Sequence, residues 1–307
     1  MILIVGGSGF LGREVTKRLL ARGEQVRLSV RTPAKVDDLK QLGAKVLQGD
    51  LIDPPSLRVA CQRVDRVFAA AHSLLGKGRY RSEAVDDAGH RALIDAAKAA
   101  GVPHFVYTSI LGATPDHRVD FFRTKYRVEE YLKASGLNYT ILRPAAFMEW
   151  HAHILNGKGI LENGKTSLLG KGTKQRNFVA VQDVAHFAVL ALTNSKLQNR
   201  TLVVGGPGNY SANQVAELYG KLAGVTPKVT HLPAPVARVM SIVLKPFHPG
   251  LSRIMYLGSL PDDAFDERFD PEPLLAEFPV RLTTLEEFVH ARVEETKEAI
   301  GGPALAS

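Results

Sequence analysis

A segment near the start of the chain has the composition and spacing of a loop that binds phosphate groups. It consists of Gly6, Gly7, Ser8, Gly9, Phe10, Leu11 and Gly12. The segment fits Gly-x-Gly-x-x-Gly from Gly7 and Gly-x-x-Gly-x-x-Gly from Gly6. Glycines allow a tight turn, close approach of the backbone to a pyrophosphate, and close contact between a helix and a strand. A lysine-containing triphosphatase loop is excluded, because Arg13 and Glu14 stand where that motif needs lysine and a hydroxyl residue.

The elements predicted on either side of this loop are those of a dinucleotide site. The apolar run 2–5 precedes the loop and predicts a buried strand. After the loop, Leu11, Val15 and Leu19 recur every four residues, which predicts a helix. The start of that helix would offer free N–H groups and a partial positive charge to phosphates. We therefore expect a dinucleotide to be bound by Gly6, Ser8, Gly9, Phe10, Leu11 and Gly12.

The end of the second apolar run, 26–30, indicates which dinucleotide is bound. An NAD site usually places a carboxylate about 20 residues past the loop, on the ribose 2′-hydroxyl. Here Arg31 and Lys35 follow the run, and the first acidic residue after the run is Asp37. Arginine at this place can hold a 2′-phosphate through two hydrogen bonds and stack on adenine, with Lys35 as a second cation. NADP(H) is therefore favoured over NAD(H), the alternative being that both cations are ordinary surface residues.

Short apolar runs alternate with helical patterns in the first half of the chain. The runs are 2–5, 26–30, 44–47, 67–71, 105–108 and 139–142. Their length and their flanking Gly or Asp residues are typical of buried parallel strands. Strands that alternate with helices form crossover units and a parallel sheet covered on both faces. We predict an α/β fold with a doubly wound parallel sheet of the Rossmann type.

The sequence changes character after Trp150, where five glycines occur between residues 157 and 172. We predict an NADP-binding Rossmann domain over 1–150, with a return segment near 177–206, and a smaller mixed substrate-binding region over 151–307. The elements predicted there are strands at 178–181 and 201–204 with a helix at 183–192 between them, a helix capped by Ser211, helices after Pro227, and a C-terminal helix from about Thr284.

Composition excludes several classes of protein. The chain has 307 residues, a formal net charge of +8 and the single cysteine Cys61, which cannot form an internal disulfide or a cysteine zinc site. His151 and His153 lack a third ligand at a recognisable spacing, so no metal is expected.

The positive charges are dispersed, which argues against nucleic-acid binding. No apolar run approaches the ~20 residues of a membrane span. Because the chain opens on the run 2–5 without a basic leader, we expect a cytoplasmic protein.

Several other segments form a recognisable set with the glycine loop. They are Val30-Arg31-Thr32-Pro33-Ala34-Lys35, Gly49-Asp50-Leu51, Phe105-Val106-Tyr107-Thr108-Ser109, Lys125, Leu142-Arg143-Pro144 and Val179-Ala180-Val181-Gln182-Asp183-Val184-Ala185. Together they resemble the atypical short-chain dehydrogenase/reductase superfamily, in particular its NmrA-like branch. The resemblance is good over about residues 1–210 of the sequence. It implies an NAD(P)-binding Rossmann fold.

The resemblance also implies a role for residues at the ends of the third to sixth strands, the edge at which open α/β sheets place their ligands. The implied contacts are Asp50 and Leu51 against adenine, Ala70, Ala71 and His72 beneath the adenosine ribose and the nicotinamide half, Thr108 and Ser109 at the end of the fifth strand, Lys125 on the nicotinamide ribose, and Pro144 and Phe147 beside the nicotinamide.

The chain departs from the superfamily at the position of its usual proton donor. Many members carry Tyr-x-x-x-Lys on one helical face, where tyrosine is the general acid and lysine lowers its pKa. Here Phe121 occupies the tyrosine position before Lys125, and a phenyl ring has no proton to give. Tyr126 points about 100° away from Lys125 on a helix and is no simple substitute.

Three accounts of the missing acid stay open. In the first, Lys125 protonates or polarises the substrate, and burial shifts its pKa toward neutrality. In the second, the substrate is a quinone that takes its protons from water. In the third, the protein binds NADP(H) without turnover, as a sensing regulator or as an accessory subunit of a redox complex. We expect hydride transfer to or from a small apolar carbonyl, ene or quinone substrate, with Lys125 as the catalytic residue.

Two apolar segments bear on the substrate and on other partners. Residues 147–150 follow the last predicted Rossmann strand, where a pocket for an apolar substrate would open. Residues 236–245 form an amphipathic segment that either caps the cleft or makes a peripheral membrane contact.

Overall fold

The structure is a computed structural model and describes residues 1–262, 264 and 266–301. The strands are β1 (Ile2–Val5), β2 (Val26–Val30), β3 (Lys45–Gln48), β4 (Arg66–Ala69), β5 (His104–Thr108), β6 (Asn138–Pro144), β7 (Ala146–Phe147), β8 (Lys165–Leu169), β9 (Arg176–Val179), β10 (Arg200–Val204), β11 (Gly208–Tyr210) and β12 (Lys228–Leu232). The α-helices are α1 (Phe10–Ala21), α2 (Asp37–Gln41), α3 (Pro54–Ala60), α4 (His90–Ala99), α5 (Asp120–Ala134), α6 (Lys158–Asn163), α7 (Val181–Thr193), α8 (Ala212–Ala223), α9 (Ala234–Leu244), α10 (Pro249–Gly258), α11 (Glu272–Glu277) and α12 (Leu285–Gly301). Short 3₁₀ helices lie at Pro33–Val36, Gly78–Tyr80 and Ser195–Leu197, and π-helical segments at Glu83–Gly89 and Met148–Gly157.

The first of two compact units carries the large sheet. It comprises Met1–Pro144, Val181–Val204 and Ser241–Ile254. Within the described residues its sheet has seven strands in the order β10-β6-β5-β4-β1-β2-β3, and each neighbouring pair is parallel. Every residue of β1 and β5 is buried, as expected for strands of a parallel sheet covered on both faces. The predicted Rossmann-type sheet is confirmed.

The strand order reverses beside β1. From β1 the chain continues to β2 and β3 on one side, and then returns to β4 on the other side of β1. Open α/β sheets bind ligands outside the carboxyl ends of the strands that flank such a reversal. In a parallel sheet these carboxyl ends share one edge, so the residues that follow β1, β2, β4 and β5 are brought together there.

Helices α1 and α7 pack against each other within the first unit. The predicted apolar face of α1 is buried, with Leu11 6% exposed and Val15 and Leu19 fully covered. Burial of each such side chain contributes about 1.5–3 kcal/mol relative to exposure. This packing fixes the axis of α1, and with it the position of the glycine loop at its start.

Two predicted elements differ from the structure. The predicted strand at 178–181 is wrong at its end, because β9 stops at Val179 and α7 begins at Val181. The apolar pattern continues through that boundary and does not mark it. The prediction of helices directly after Pro227 is wrong for 228–232, which form β12 and pair with β8. Most of β12 is exposed, so it lacks a buried apolar run of the kind that β1 and β5 have.

The second unit comprises Ala145–Ala180, Gly205–Met240 and the described residues from Met255 on. Its strand β9 pairs with β7 in parallel and with β11 in antiparallel orientation. Its core includes Met148, Ile160, Phe178, Val215, Tyr219 and Phe288. The predicted N-cap of α8 is confirmed: Ser211 Oγ accepts from the Gln214 N–H at 3.2 Å, and Gln214 Oε1 accepts from the Ser211 N–H at 2.8 Å.

Candidate active site

The glycine loop lies in the first unit, between β1 and α1. Gly6 has φ +98°, and a Cβ there would lie 2.6 Å from the Ala71 nitrogen, so the loop touches the end of β4. A Cβ at Gly12 would collide with the carbonyl oxygen of Gly6. These two positions need glycine, the first for its backbone conformation and close approach, the second for close approach alone.

The start of α1 presents backbone donors at this edge of the sheet. Gly9 is its N-cap, in extended conformation, and no side chain caps the helix. Ser8, Gly9 and Phe10 are exposed, whereas Leu11 is buried and can contribute only its backbone N–H to a ligand. An uncapped helix start of this kind attracts anionic groups. The arrangement fits the pyrophosphate of a dinucleotide.

Arg13, in the first turn of α1, has a structural partner. Its guanidinium donates to the Lys35 carbonyl oxygen at 2.9 Å and pairs with Asp38 at 2.5 Å. These bonds tie α1 to the segment after β2. The side chains of Arg31 and Lys35 remain exposed there.

The ends of β2 and β3 are linked through a residue that the sequence did not single out. The Arg31 guanidinium lies 4.6 Å from the centroid of the Tyr80 ring. The Tyr80 hydroxyl donates to Asp50 Oδ2 at 3.0 Å. Leu51, next to Asp50, is only 5% exposed and belongs to the core. Both Arg31 and Asp50 therefore contact the Tyr80 side chain, Arg31 at the ring and Asp50 at the hydroxyl.

Ala70, Ala71 and His72 follow β4. The Ala70 N–H donates to the carbonyl oxygen of Val5 at 2.9 Å, which continues the β1–β4 pairing up to the loop. Their place beyond the strand corrects the predicted run 67–71, since β4 ends at Ala69. His72 is exposed to solvent, yet the surrounding protein partly desolvates its imidazole and so lowers its pKa. The positive charge of Lys125 lowers this pKa further.

Two buried hydroxyl groups mark the carboxyl end of β5. Thr108 is 8% exposed and Ser109 is 5% exposed. Neither Thr108 Oγ1 nor Ser109 Oγ has a hydrogen-bond partner among the described residues. A buried hydroxyl without a partner costs free energy, so this position is suited to a ligand that completes the hydrogen bonds.

Lys125 contacts the same strand end and is itself buried, at 3% exposure. Its Nζ donates to the Thr108 carbonyl oxygen at 3.1 Å and lies 4.9 Å from the Tyr107 ring centroid. Burial lowers the pKa of Lys125 below its ordinary value, and the carboxylates of Asp86 and Glu129 offset part of that change. Such a lysine gives up a proton more readily than a surface lysine does.

Phe121 stands one turn before Lys125 on α5, as predicted. It is 4% exposed, and its ring centroid lies 5.7 Å from Lys125 Nζ. The carboxylate of Asp120 fixes the start of this helix: it binds the Arg253 guanidinium at 2.6 Å and 2.8 Å. Burial alone would raise the pKa of Asp120, but the hydrogen bonds and charge of Arg253 lower it.

Three further buried polar groups surround Lys125 and were missed in the sequence. Asp86 accepts from the Ser73 N–H and the Ser82 hydroxyl, at 3.0 Å and 2.7 Å. The His90 ring meets the Tyr107 ring edge-on at 5.3 Å, and neither His90 Nε2 nor the Tyr107 hydroxyl has a partner in the described part of the chain. Burial lowers the pKa of His90 to about 4. The sequence does contain a signal for two of these groups. Asp86 and His90 are four residues apart and lie on the apolar face of a helical pattern, where a polar residue is expected to be buried.

The last two predicted site residues fall in different units. Pro144 ends β6 in the first unit, where its carbonyl oxygen accepts from the Leu111 N–H at 2.9 Å. Phe147 belongs to the second unit, in β7, opposite Val179 of β9. All the other predicted site residues lie in the first unit.

Two histidines of the second unit, His151 and His153, have ordinary structural partners. His151 is hydrogen-bonded to the Arg176 guanidinium at 3.3 Å, and His153 Nδ1 to the Tyr219 hydroxyl at 3.2 Å. Within residues 1–262, 264 and 266–301, no group of three or more histidine, cysteine or acidic side chains is placed to hold a metal ion. Nor does any helix of those residues have the length and apolar composition needed to cross a membrane.

A parallel sheet with a glycine loop at its strand-order reversal defines a nucleotide-cofactor-binding fold, and the chain belongs to the NAD(P)H-binding family of the atypical short-chain dehydrogenase/reductase superfamily. The sequence model of this family, described as NAD(P)H-binding, matches residues 6–195. The family resemblance and the prediction of a nicotinamide dinucleotide, NAD(H) or NADP(H), are confirmed.

Proteins that are similar to this chain differ in what they do. It is 33% identical over 225 residues to an NAD(P)H azoreductase of Xenophilus azovorans, an alignment that covers 73% of this chain and 74% of the relative. It is 31% identical over 234 residues to the photosystem II assembly factor Ycf39 of Guillardia theta, covering 76% of this chain and 73% of that protein. The NADPH-dependent quinone oxidoreductase QOR2 of Escherichia coli, in complex with NADPH, matches with a TM-score of 0.76 at 26% identity, covering 95% of this chain and 99% of that one.

Proposed function

We propose that this protein is an NADP(H)-dependent oxidoreductase that reduces a small apolar carbonyl, ene or quinone substrate. The observation that carries the proposal is Lys125, a buried cation with a lowered pKa, hydrogen-bonded to the backbone at the end of β5, the strand end that also carries the unpartnered hydroxyls of Thr108 and Ser109. A merely structural lysine would be exposed or paired with a carboxylate. The azo and quinone reductases among its relatives support this class of reaction.

The residues of the first unit fit a dinucleotide. Glycine at Gly6 and Gly12 lets the loop pack tightly against the protein's own backbone, and the uncapped start of α1 suits the pyrophosphate. Arg31, exposed at the end of β2, is the proposed partner of a ribose 2′-phosphate, so NADPH is the proposed form. Asp50 and Leu51 would lie against adenine, and Lys35 would add a second positive charge.

When bound, NADPH supplies a hydride from nicotinamide C4. Ser109 Oγ and Thr108 Oγ1 are proposed to donate hydrogen bonds to ligand oxygens at this strand end, which is supported by their lack of another partner in the described residues. Two residues of the first unit are proposed to contact the nicotinamide half, Pro144 beside the ring and His72 beneath it. The Thr108 carbonyl oxygen keeps Lys125 Nζ at the end of β5.

Lys125 is the proposed source of the proton in carbonyl reduction. The substrate carbon gains the hydride, the carbonyl π electrons move onto oxygen, and that oxygen takes a proton from the Lys125 ammonium. The resulting amine regains a proton from solvent. A lowered pKa favours this step, because the neutral amine is stabilised by burial. A quinone needs less help, since its reduced oxygens accept protons from water.

A regulatory or assembly role without turnover is the second candidate. It is favoured by Phe121, which removes the hydroxyl proton donor from the face of α5 that carries Lys125. One relative is an assembly factor of photosystem II by name, so the family includes proteins that are not described as reductases. In that role the protein would bind NADPH and a protein partner and leave the cofactor unreacted.

The test is a fluorescence titration with NADPH and NADH, followed by NADPH oxidation against a panel of quinones and carbonyl compounds. The reductase proposal expects tight NADPH binding, and turnover with carbonyl acceptors that falls about a hundredfold in Lys125→Ala. Tight binding without turnover on the whole panel supports the second candidate. No binding of either nucleotide contradicts both.

A further inference from the structure

A second arginine lies beside the ring that Arg31 contacts. The 3₁₀ helix Gly78–Tyr80 belongs to the loop between β4 and α4. Its Arg79 guanidinium lies 5.2 Å from the Tyr80 ring centroid, and Arg31 lies 4.6 Å from the same centroid. Two cations from distant parts of the sequence thus share one aromatic ring at the carboxyl edge of the sheet.

Neither guanidinium is neutralised within the described part of the chain. Arg31 and Arg79 are both exposed, and no carboxylate there forms a salt bridge with either one. Nearby arginines differ: Arg81 is near Glu83 at 3.9 Å, while Arg127 pairs with Asp87 at 2.8 Å. Two unpaired like charges close together repel, and an anion that binds both removes the repulsion.

Tyr80 is held through both its side chain and its backbone. The phenol hydroxyl donates to Asp50 Oδ2 at 3.0 Å, and the backbone carbonyl oxygen accepts from Ser73 Oγ at 2.5 Å. Asp50 Oδ1 in turn accepts from the Ile52 N–H at 3.3 Å. A Cβ at Gly76 would collide with the Tyr80 carbonyl oxygen, so the loop is closely packed there. The ring is therefore a fixed platform that presents both guanidinium groups.

We propose that Arg79 and Arg31, on the Tyr80 platform, form a site for a phosphate monoester dianion, the 2′-phosphate of the adenosine ribose. The inference rests on the proposed NADPH-dependent function and adds Arg79 as a specificity-determining residue. Guanidinium groups bind phosphate oxygens through paired hydrogen bonds, and two of them can grip one phosphate from two sides. The neutral 2′-hydroxyl of NADH gains nothing comparable from a second cation. Arg79 therefore favours NADPH without contributing to the affinity for NADH.

The experiment measures dissociation constants by titration calorimetry for NADPH, NADH, 2′,5′-ADP and 5′-ADP. Arg79→Ala should weaken NADPH and 2′,5′-ADP about tenfold or more and leave NADH and 5′-ADP within about twofold. Arg81→Ala is the matched control, because Arg81 is two residues away, exposed and already near Glu83. It should leave all four constants unchanged. Tyr80→Ala should weaken the two 2′-phosphate ligands, since it removes the platform.

The outcomes separate this inference from the proposal on which it rests. Wild-type selectivity for NADPH together with unchanged constants in Arg79→Ala overturns the role of Arg79 and leaves the cofactor proposal intact. Equal weakening of NADPH and NADH in Arg79→Ala also overturns it, because the residue would then act on the shared part of the dinucleotide. Equal binding of NADPH and NADH by the wild type overturns both. A thermal melt of Arg79→Ala that matches the wild type excludes unfolding as the cause of weaker binding.

Discussion

Lys125 Nζ lies 3.1 Å from the carbonyl oxygen of Thr108, so a backbone atom of the central sheet positions the buried ammonium group. The carbonyl belongs to the last residue of β5, and the next residue is Ser109, whose hydroxyl has no partner in the described residues. A rigid strand thus sets the distance between the lysine and the place where a reacting ligand would bind. The proposed proton transfer depends on this contact.

Replacement of Lys125 tests its chemical role. Lys125→Met keeps the length and apolar stem and removes the ammonium, so kcat for carbonyl reduction should fall about a hundredfold. Stability should stay equal or rise, because a buried charge is removed and the methionine fills the space. Lys133→Met is the control on the same helix, since Lys133 is a surface residue that pairs with Glu130. Equal effects of the two substitutions on kcat would contradict the assignment.

Two glycines of the loop should respond differently to alanine. A Cβ at Gly12 would collide with the Gly6 carbonyl oxygen, so Gly12→Ala should lower the free energy of unfolding by about 1–3 kcal/mol. A Cβ at Gly9 meets that oxygen at an ordinary 3.5 Å, so Gly9→Ala should fold normally. Its methyl group would face the phosphates and weaken NADPH binding. Urea unfolding and NADPH titration of both variants check this, and a Gly9→Ala protein with unchanged affinity would place the pyrophosphate elsewhere.

The pH dependence of stability should include a contribution from His90. Burial lowers the pKa of His90 from 6.5 to about 4, so the fold favours its neutral form. The stability due to this preference is fully present above pH 6.5 and is lost as the pH falls through the window from 6.5 to about 4. The loss amounts to about 3 kcal/mol at most. Unfolding in urea at pH 7 and at pH 4.5 should therefore show a smaller difference in His90→Asn than in the wild type.

His104 offers an independent repeat of that test. Burial and the charge of Arg66 lower its pKa to about 4 as well, and its Nε2 is hydrogen-bonded to Thr140 Oγ1 at 3.0 Å. His104→Asn should flatten the same part of the pH profile. A wild-type profile in both variants would show that neither ring is held in its neutral form.

The Asp120–Arg253 pair should respond unequally to loss of either partner. The Arg253 side chain is 5% exposed, and the Asp120 side chain is 49% exposed. Asp120→Ala leaves a buried guanidinium without its carboxylate, which should cost about 3 kcal/mol. Arg253→Met leaves a carboxylate that water can solvate, so it should cost less. Urea unfolding of the two single variants and the double variant measures both costs and the coupling, and the reverse order would contradict this account.

Much of the first unit was predictable, because a buried parallel strand leaves a short apolar run in the sequence. The six predicted runs of the first half all correspond to strands, displaced by no more than two residues at an end. The exposed strand β12 has no such run, and the start of α7 continues the apolar pattern of β9. Whether residues 228–232 form a strand depends on their pairing with β8, which lies far away in the sequence.

The candidate site was predictable where one segment carries the signal. The glycine loop, Arg31 and Lys125 each stand in a local pattern. Tyr80 could not be found in this way, because its importance comes from contacts with Arg31 and Asp50, which are 49 and 30 residues away. The same holds for the buried Arg253, whose partner Asp120 is separated from it by 133 residues.

The most direct test of the central claim is the oxidation of NADPH by a soluble quinone and by a carbonyl acceptor, followed by absorbance in the wild type and in Lys125→Met, after titration has shown that both proteins bind NADPH. We predict steady turnover in the wild type, and with a carbonyl acceptor a fall of about a hundredfold in the variant. The claim would be contradicted if the wild-type protein bound NADPH tightly but none of the quinones or carbonyl compounds served as an acceptor. Such a result would identify a protein that binds the cofactor without reacting it.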